Sequence, residues 1–389
     1  MERTKTRHEI AIVGAGLGGL TCALALARMG RAVSVYEQAS ALVEIGAGIT
    51  LSPNASCVFV HLGLAEGLKQ HGVVPLKQWT QAMHSGALLI ERERGALMEA
   101  TYGAPYTHLH RADLHHMLTE ALLTIDPQAI HLNHKVEKVT GDGIIYFADG
   151  TTASADVVIG ADGVKSAVRD ALFETTPPLF TGQVAWRGVV PITALSSEVQ
   201  ALPPGIWIGE NRLFMRYPMR GGSLINYAAF VNNEGWDQEG WMIASTREEL
   251  LGEFAGAEPH LLDMIRATPS DQLYKWAIHA RDPLSSWISG RVTLLGDAAH
   301  GMLPFMGQGA ATSIEDGMVL ARCLNEFAAV EALRRYQAAR LDRTTRIQTQ
   351  SRLLGLQFQG KDPESYGKGP IQNEETLGLF AYDAVNVGI

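Results

Sequence analysis

The chain has 389 residues, of which 46% are hydrophobic and 19% charged, and a formal net charge of −9. This length can bury a large core and suggests two or more structural units. The negative charge, without a long run of Lys and Arg, argues against general nucleic-acid binding. No segment approaches the roughly 18 uninterrupted apolar residues of a membrane span. Three scattered cysteines, Cys22, Cys57 and Cys323, have no metal-ligand spacing, so we expect a reducing, cytoplasmic compartment and no metal site.

The N-terminal region reads as a strand, a glycine-rich turn and a helix. An apolar run over 10–13 predicts a buried strand, and an Ala/Leu-rich segment over 17–29 predicts the helix. Between them, G-x-G-x-x-G spacing and the first helical residues give a candidate phosphate-binding loop: Gly14, Gly16, Leu17, Gly18 and Gly19. In such a loop the glycines allow a tight turn, a close approach to pyrophosphate and close helix–strand packing, while free N–H groups at the helix start bind phosphate.

A second strand is predicted over 32–36, directly before Glu37. A carboxylate about 20 residues after the glycine turn can accept hydrogen bonds from both ribose hydroxyls. An acid rather than an arginine favours an unphosphorylated ribose, and therefore NAD or FAD over NADP. The order of strand, turn, helix and acid predicts a dinucleotide site rather than an ordinary glycine-rich turn.

Farther along, elements of both kinds alternate before the chain becomes strand-rich. Helices are predicted at 56–62, 111–125, 246–254, 260–267, 310–327 and 330–350. Strands are predicted at 136–139, 144–147, 157–159, 184–190, 205–208, 213–217, 224–231 and 292–295, with 74–100 forming strands of a separate sheet.

Nucleotide-type elements therefore flank a strand-rich middle, which favours one interrupted nucleotide domain over two sequential domains. We expect an α/β fold in which a Rossmann-type FAD- or NAD-binding domain is interrupted by a mostly β substrate domain, with C-terminal helices. The expected dinucleotide domain covers 1–73, 102–181 and 288–350. The expected substrate domain covers 74–101 and 182–287, and a tail covers 351–389.

Two further motifs follow predicted strands. The first is Gly-Ala-Asp-Gly at 160–163, with Arg169 shortly after it. The second is Gly-Asp-Ala-Ala-His at 296–300, which continues to Pro-Phe-Met-Gly-Gln-Gly-Ala at 304–310. An acidic side chain at the carboxyl end of a parallel strand lies at the ligand-facing edge of an α/β sheet.

Together with the glycine loop, these motifs resemble the single-component FAD-dependent aromatic hydroxylases, typified by para-hydroxybenzoate hydroxylase. The chain is most similar to the salicylate and 3-hydroxybenzoate 6-hydroxylase branch, over nearly its whole length. The resemblance implies bound FAD, transient NADH or NADPH, O₂, and a small aromatic acid or phenol as substrate. In that family NAD(P)H reduces FAD, the reduced flavin forms a C4a-hydroperoxide, and its distal oxygen is transferred to the ring. With one G-x-G-x-x-G, NAD(P)H would bind outside a dedicated Rossmann domain.

The resemblance also assigns roles to individual residues. Asp297 would bind the ribityl chain, Arg111 the FAD ribose and phosphates, and the helix beginning near Gly309 would point its N-terminus at the flavin. Further implied cofactor contacts are Gly48, Asp162, Gly163, Arg169, Gly307, Gln308 and Ala310. The implied catalytic residues are Tyr217, His300 and Pro304, and the implied substrate contacts are Tyr217, Phe305 and Met306.

Read without the resemblance, several of these residues have structural alternatives. Asp162 and Gly163 are equally consistent with a plain β-turn, and Arg111 with a solvated residue at a helix start. Asp297 is also consistent with a residue that caps a turn. Tyr217 is consistent with a core tyrosine, and His300 with a structural histidine.

The sequence also departs from its relatives at three positions. The 3-hydroxybenzoate branch carries histidine at 213 and proline at 301, where this chain has Leu213 and Gly301. The hydroxynicotinate hydroxylases carry histidine at 50, where this chain has Thr50. The sequence therefore does not identify the substrate. It also leaves open whether the protein is a monomer or a homodimer. A flavin halogenase or reductase and a non-catalytic FAD-binding regulator are the competing functions. The halogenase W-x-W-x-I-P signature is missing at 185–191, and the intact motif at 304–309 argues against a regulator.

Overall fold

The computed structural model describes residues 9–42, 48–174, 176–233, 235–236 and 243–389. Its strands are β1 (Ile10–Val13), β2 (Val33–Tyr36), β3 (Gly48–Leu51), β4 (Lys77–Ala82), β5 (Leu88–Glu93), β6 (Thr107–His110), β7 (Ile130–His131), β8 (Val136–Val139), β9 (Ile144–Phe147), β10 (Thr152–Ser154), β11 (Val157–Gly160), β12 (Leu179–Pro191), β13 (Gly205–Gly209), β14 (Arg212–Met219), β15 (Leu224–Asn232), β16 (Ile243–Ala244), β17 (Leu273–Ala280), β18 (Ile288–Ser289) and β19 (Val292–Leu294).

Its α-helices are α1 (Leu17–Arg28), α2 (Pro53–His61), α3 (Ala65–His71), α4 (Ala96–Tyr102), α5 (Arg111–Ile125), α6 (Ala167–Leu172), α7 (Ser197–Ala201), α8 (Arg247–Glu253), α9 (Pro259–Ala267), α10 (Asp297–His300), α11 (Gly309–Glu326) and α12 (Ala329–Phe358). Short 3₁₀ turns lie at Ile192–Ala194, Ser270–Gln272, Pro304–Met306 and Pro363–Ser365. None of the helices in the described ranges is long and apolar enough to cross a bilayer.

A six-stranded sheet has the order β18-β19-β11-β1-β2-β7. The strands from β19 to β7 are parallel, and β18 is the antiparallel edge. Every residue of β1 and β11 is buried, as expected for a parallel sheet covered on both faces. The carboxyl ends of β1, β11 and β19 lead into the three motifs singled out above, so the sheet brings the motifs to one edge.

An eight-stranded sheet has the order β16-β17-β12-β15-β14-β13-β4-β5 and is antiparallel except between β13 and β4. One face packs on α7, α8 and α9 through residues such as Trp186 and Phe214. The other face packs on α12 and on the 3₁₀ turn at Pro304–Met306 through residues such as Ala185 and Phe230. This second face is therefore the one that meets the third motif.

Several features differ from the sequence expectations, including elements that were not predicted, such as α3, β6 and α6. The end of the 74–100 segment is not a strand but α4, which lies between Gly95 and Gly103, both with positive φ. The strand β17 was not predicted. The helix predicted to end near residue 350 continues to Phe358. It passes through Gly355, where a Cβ would lie 2.4 Å from the ring of Phe305, so this glycine serves close packing rather than helix termination.

The C-terminal segment docks on the rest of the chain. Leu379 and Phe380 are buried, Phe380 together with Met98 and Tyr106. Arg94 forms an ion pair with Glu375, and Arg322 donates hydrogen bonds to carbonyls at the C-terminus. Residues 371–389 therefore cover both α4 and the helices behind the six-stranded sheet.

Candidate active site

The glycines of the first motif are of two kinds: at filled positions neighbouring atoms occupy the space that a Cβ would need, and at open positions that space is empty. Gly14 has φ +103, and a Cβ there would lie 2.5 Å from the Ala161 carbonyl oxygen. A Cβ at Gly19 would lie 2.3 Å from the Gly14 carbonyl, and one at Gly18 would lie 2.5 Å from Leu295. A Cβ at Gly16, in contrast, would meet nothing within 4 Å. Three glycines therefore serve packing, while the space beside Gly16 is open to a ligand.

Glu37 is held against this loop. Its Oε2 accepts a hydrogen bond from the Ala15 N–H at 2.9 Å, and its Oε1 accepts one from the Ala39 N–H at 2.9 Å. The Ala15 carbonyl contacts Nε2 of His115, on α5, at 2.7 Å. Because a carboxylate has about four lone-pair sites, Glu37 keeps acceptor capacity for ribose hydroxyls while these bonds fix its position.

The second motif, at 160–163 with Arg169, connects the edge of the six-stranded sheet to the third motif. Asp162 accepts hydrogen bonds from the Ser166 hydroxyl and the Val168 N–H, and so holds the start of α6, although burial raises its pKa. The side chain of Asp162 thus fits its turn-forming alternative. Gly163 has φ +76 and an open side. Arg169 is buried and donates to the carbonyls of Val164 and Ala298, which ties the second motif to the residue after Asp297.

Asp297 and the start of α11 lie side by side. The Asp297 carboxylate is half-buried, and its Oδ1 lies 4.0 Å from where a Cβ of Gly309 would stand. The first N–H groups of an α-helix have no partner within it, so the first turn of α11, with Gly309 and Ala310, offers free donors beside this carboxylate. Gly307 is exposed and open. The arrangement suits a ligand that has both hydroxyl donors and carbonyl acceptors.

Gln308 behaves differently from its neighbours. Its amide is buried, donates to the Ser52 hydroxyl at 3.1 Å and accepts from Asn54 at 3.1 Å. Asn54 also donates to Glu315 at 2.6 Å. The Gln308 side chain therefore fastens the loop at 304–310 to α2, and its backbone is the part left for a cofactor.

His300 belongs to a buried ionic cluster. Its Nε2 contacts Asp316 Oδ2 at 2.5 Å, and Arg340 contacts Asp316 and Glu315 at 2.6 Å each. Burial alone raises the pKa of the Asp316 carboxyl, but His300 and Arg340 outweigh it and lower the pKa to about 2. Since the ring is only 3% exposed and engaged with Asp316, its geometry favours a positioning role behind Asp297. Its catalytic role stays a prediction.

The Tyr217 side chain, on β14, lies between Gly48 at the start of β3 and the ring of His108 on β6. A Cβ at Gly48 would lie 2.4 Å from the Tyr217 ring, and the Gly48 N–H donates to Asn226 at 3.0 Å. On its other side Tyr217 stacks on His108 at a centroid distance of 4.6 Å. Burial raises the pKa of the Tyr217 hydroxyl to about 12, so the phenol stays protonated at neutral pH. Gly48 thus supports the tyrosine through close packing.

His108 was not singled out from the sequence. It is buried on β6, pairs with Thr50 across the β3–β6 ribbon, and its Nδ1 lies 2.9 Å from the Thr50 hydroxyl. Burial first, and then Arg94 and Arg216, lower its pKa to about 3, so the ring is neutral. His108 is therefore hydrogen-bonded to Thr50, the position at which hydroxynicotinate hydroxylases carry a histidine. Because His108 lies on a different strand from Thr50, only the strand register reveals that the two are neighbours.

The segment 304–306 lies between the eight-stranded sheet and α12. Phe305 and Met306 are buried in that layer, and the Phe305 ring lies 5.3 Å from Phe230. Pro304 is exposed. Arg111 begins α5 and is also exposed. Pro304 is thus the residue of this segment placed to meet a ligand, while Phe305 and Met306 shape the wall behind it.

Comparisons with known proteins agree with this geometry. A family model described as an FAD binding domain matches residues 7–351. A 3-amino-4-hydroxybenzoate 2-monooxygenase of Streptomyces platensis is 38% identical over 401 residues, covering 98% of this chain and 98% of that protein. A 6-hydroxynicotinate 3-monooxygenase of Pseudomonas fluorescens is 37% identical over 349 residues, covering 87% and 89%. A salicylate hydroxylase substrate complex has a TM-score of 0.83 at 27% identity, covering 98% and 97%.

These relatives are monooxygenases, which favours that activity over the halogenase, reductase and regulator alternatives. The open glycines of the three motifs fit a dinucleotide, and the matched family binds FAD. The chain therefore belongs to the FAD-binding monooxygenase family of mixed α/β fold, and it is an FAD-dependent aromatic-ring monooxygenase.

Proposed function

We propose that the chain hydroxylates a small aromatic acid or phenol of the salicylate or hydroxybenzoate kind, with NADH or NADPH and O₂ as co-substrates. The observation that carries the proposal is the division between filled and open glycines. Gly16, Gly163 and Gly307 have open sides, one in each motif, and all three motifs meet at one sheet edge. The relatives described above are named for substrates that carry a carboxylate.

FAD would be held along this edge by separate contacts. The N-terminus of α1 beside Gly16 would bind the pyrophosphate, Glu37 the ribose and Asp297 the ribityl chain. Arg111 and Gly163 would contribute further cofactor contacts. The start of α11 would face the flavin ring, where a helix N-terminus favours negative charge by about 0.3–1 kcal/mol. When bound, FAD would accept reducing equivalents from NAD(P)H and activate O₂.

The protein's own contribution is to position the ring and exclude water. The second face of the eight-stranded sheet would form one wall and Pro304 the other. Tyr217 stays protonated, so its hydroxyl can donate a hydrogen bond to a substrate oxygen and hold the ring in one orientation. Leu213 and Thr50 supply no ring nitrogen and Tyr217 already carries its proton, so the proton of a substrate phenol would leave through water.

The organisation of the molecule follows from the same proposal. The six-stranded sheet would form the core of an FAD domain over 1–73, 102–181 and 288–350. The eight-stranded sheet would form the core of a substrate domain over 74–101 and 182–287. We propose a cytoplasmic enzyme that is a monomer or a homodimer, and the three free cysteines agree with a reducing compartment.

The test is a substrate panel on the purified holoenzyme. Aromatic acids, phenols and matched non-aromatic acids would be added with NADH or NADPH, and both cofactor oxidation and product mass recorded. We expect at least one aromatic compound to accelerate oxidation and to give a product heavier by one oxygen atom. Oxidation that no aromatic compound accelerates, without any hydroxylated product, would contradict the proposal.

A further inference from the structure

Arg187 lies on the face of the eight-stranded sheet that meets the third motif. Along β12, Trp186 packs with the helices of one face, whereas Ala185 packs with Phe305 on the other. Because side chains alternate along a strand, Arg187 shares the face of Ala185. The cation therefore points to the same side of the sheet as the wall around Pro304.

Strand register places Arg187 near Tyr217. Arg187 is opposite Ala228, Ala228 is opposite Met215, and Tyr217 lies two residues beyond Met215 on the same face. Two strand spacings amount to about 10 Å, which an extended arginine and a tyrosine can span together. Between them Ala228 contributes only a methyl group. Burial lowers the pKa of Arg187, and the electrostatic interaction with Tyr217, which opposes this shift, agrees with their proximity.

The charge of Arg187 has no anionic partner in the described part of the chain. Its guanidinium makes no ion pair there, and its Nε is buried without a hydrogen-bond acceptor. Its nearest ring is Trp276, 5.3 Å from Cζ to the centroid. Burial lowers the pKa of Arg187, and Arg111 adds to the effect, with no carboxylate opposing it. Arginine nevertheless stays protonated in proteins. Arg187 is half-buried, and a partly enclosed cation without an anionic partner beside Tyr217 points to a ligand that supplies the missing charge.

We propose that Arg187 binds the carboxylate of the substrate, and that the enzyme acts on aromatic acids rather than on neutral phenols. This inference rests on the proposed function and narrows its substrate class. The planar guanidinium matches a carboxylate in a two-bond arrangement, which fixes direction as well as position. With the carboxylate at Arg187 and a ring hydroxyl at Tyr217, the ring lies in one orientation between the sheet and Pro304.

The experiment compares charged and neutral forms of one ring. The three hydroxybenzoate isomers and their hydroxybenzamides are titrated into the holoenzyme without NAD(P)H, and the flavin absorbance change gives each dissociation constant. Losing a charge-assisted hydrogen bond costs about tenfold to a hundredfold in affinity. We expect at least one acid to bind that much more tightly than its amide in the wild type. Arg187→Met should abolish this preference, and Arg187→Lys should reduce it.

Arg212→Met is the matched control. Arg212 lies on β14 of the same sheet and its Nε also lacks an acceptor, but it pairs with Val231 on the opposite face. It should keep the wild-type preference for the acid. Equal binding of acid and amide by the wild type, or a preference that survives Arg187→Met, would overturn the inference. Hydroxylation of the amide or a neutral phenol at an equal rate would overturn it while the proposed function stands, whereas no aromatic-dependent turnover would overturn both.

A thermal unfolding curve without ligand excludes a purely structural role. Replacing an unpaired buried charge by an apolar side chain of similar volume is neutral or stabilising. Arg187→Met should therefore unfold at the wild-type midpoint or above it. A clearly lower midpoint, together with unchanged binding of the acids, would assign Arg187 to the fold.

Discussion

Arg340 and Arg187 are cations in different parts of the molecule, the first fully buried and the second half-buried, and their surroundings are opposite. Arg340 is fully buried behind the third motif and touches two carboxylates, Glu315 and Asp316. Arg187 lies on the sheet face near Tyr217 and touches none within the described residues. Removing either charge from water costs free energy. For Arg340 the ion pairs with Glu315 and Asp316 offset this cost, whereas Arg187 has no such ion pair among the described residues.

The difference separates groups that hold the fold from groups that await a ligand. Around Arg340 the opposite charges are paired, so the cluster fixes α11 and α12 behind the motif, although Nη1 of Arg340 and Nδ1 of His300 have no partner among the described residues. Beside Tyr217, Nε of Arg187 has no acceptor and its charge no anionic partner among those residues, so a ligand would complete it. The same division separates Gly14, which is filled by neighbouring backbone, from Gly16, which is open. Substitutions of residues that are paired within the protein should therefore lower its stability. Substitutions of residues that face a ligand should instead weaken ligand binding or turnover.

Arg340→Met should have the largest effect, on stability. It leaves Asp316 with His300 and the Gly296 N–H, and removing one partner of a buried ion pair costs about 3–5 kcal/mol. Urea denaturation of the holoenzyme would measure the loss. Arg334→Met is the control, because Arg334 is exposed on the same helix and should change stability by no more than about 0.5 kcal/mol. Equal, small effects of both substitutions would remove the structural role of the cluster.

Glu37→Ala should weaken FAD binding by about 1.5–3 kcal/mol, or roughly ten- to hundredfold. Its carboxylate is fixed by the Ala15 and Ala39 N–H groups at the position where a ribose would lie. Fluorescence titration of the apoprotein gives the dissociation constant, with the exposed Glu137→Ala as the reference. An unchanged constant for Glu37→Ala would refute the assignment to the ribose.

His108 should make the protein acid-sensitive. Its pKa falls from 6.5 unfolded to about 3 folded, so the unfolded state binds more protons between these values and stability is lost as pH falls through that window. The loss between pH 7 and pH 5 should be about 2 kcal/mol. Denaturation midpoints across this range would measure it. His108→Gln should flatten the slope, whereas the exposed His116→Gln should not, and identical slopes in all three proteins would contradict the burial argument.

Tyr217→Phe should have the smallest effect, a loss of up to about tenfold in turnover, because one hydrogen bond is worth roughly 0.5–1.5 kcal/mol. FAD retention should be unchanged. Tyr227→Phe serves as the comparison, since Tyr227 bonds Thr268 on the opposite face of the sheet and should lower stability without changing product yield per NAD(P)H. Wild-type turnover and yield in Tyr217→Phe would make Tyr217 a packing residue.

The sequence was most informative where the site is local. Gly14, Gly16 and Glu37 belong to one strand–turn–helix–strand unit, so spacing alone predicted their arrangement. Asp297 and Gly309 are twelve positions apart, with α10 and a 3₁₀ turn in this segment, and the family resemblance implied their roles. Helix and strand periodicity gave α5, β8 and β9 with their observed bounds.

Predictions failed where tertiary contacts decide. The helix predicted to end near residue 350 continues to Phe358, and its Gly355 packs closely against the Phe305 ring. Phe305 and Met306 are buried in the layer between the eight-stranded sheet and α12, and their contact with the substrate stays a prediction. Arg187 and His108 could not be recognised, because their neighbours come from other strands and register is not encoded within one strand.

The most direct test of the account is the origin of the oxygen atom in the product. The holoenzyme would be supplied with NAD(P)H, the aromatic acid that accelerates its oxidation most, and heavy-isotope O₂ in ordinary water, and the product analysed by mass spectrometry. The account predicts one heavy oxygen atom on the aromatic ring of the product. A product that carries oxygen from water, or cofactor oxidation that yields only hydrogen peroxide with every aromatic acid in the panel, would contradict it.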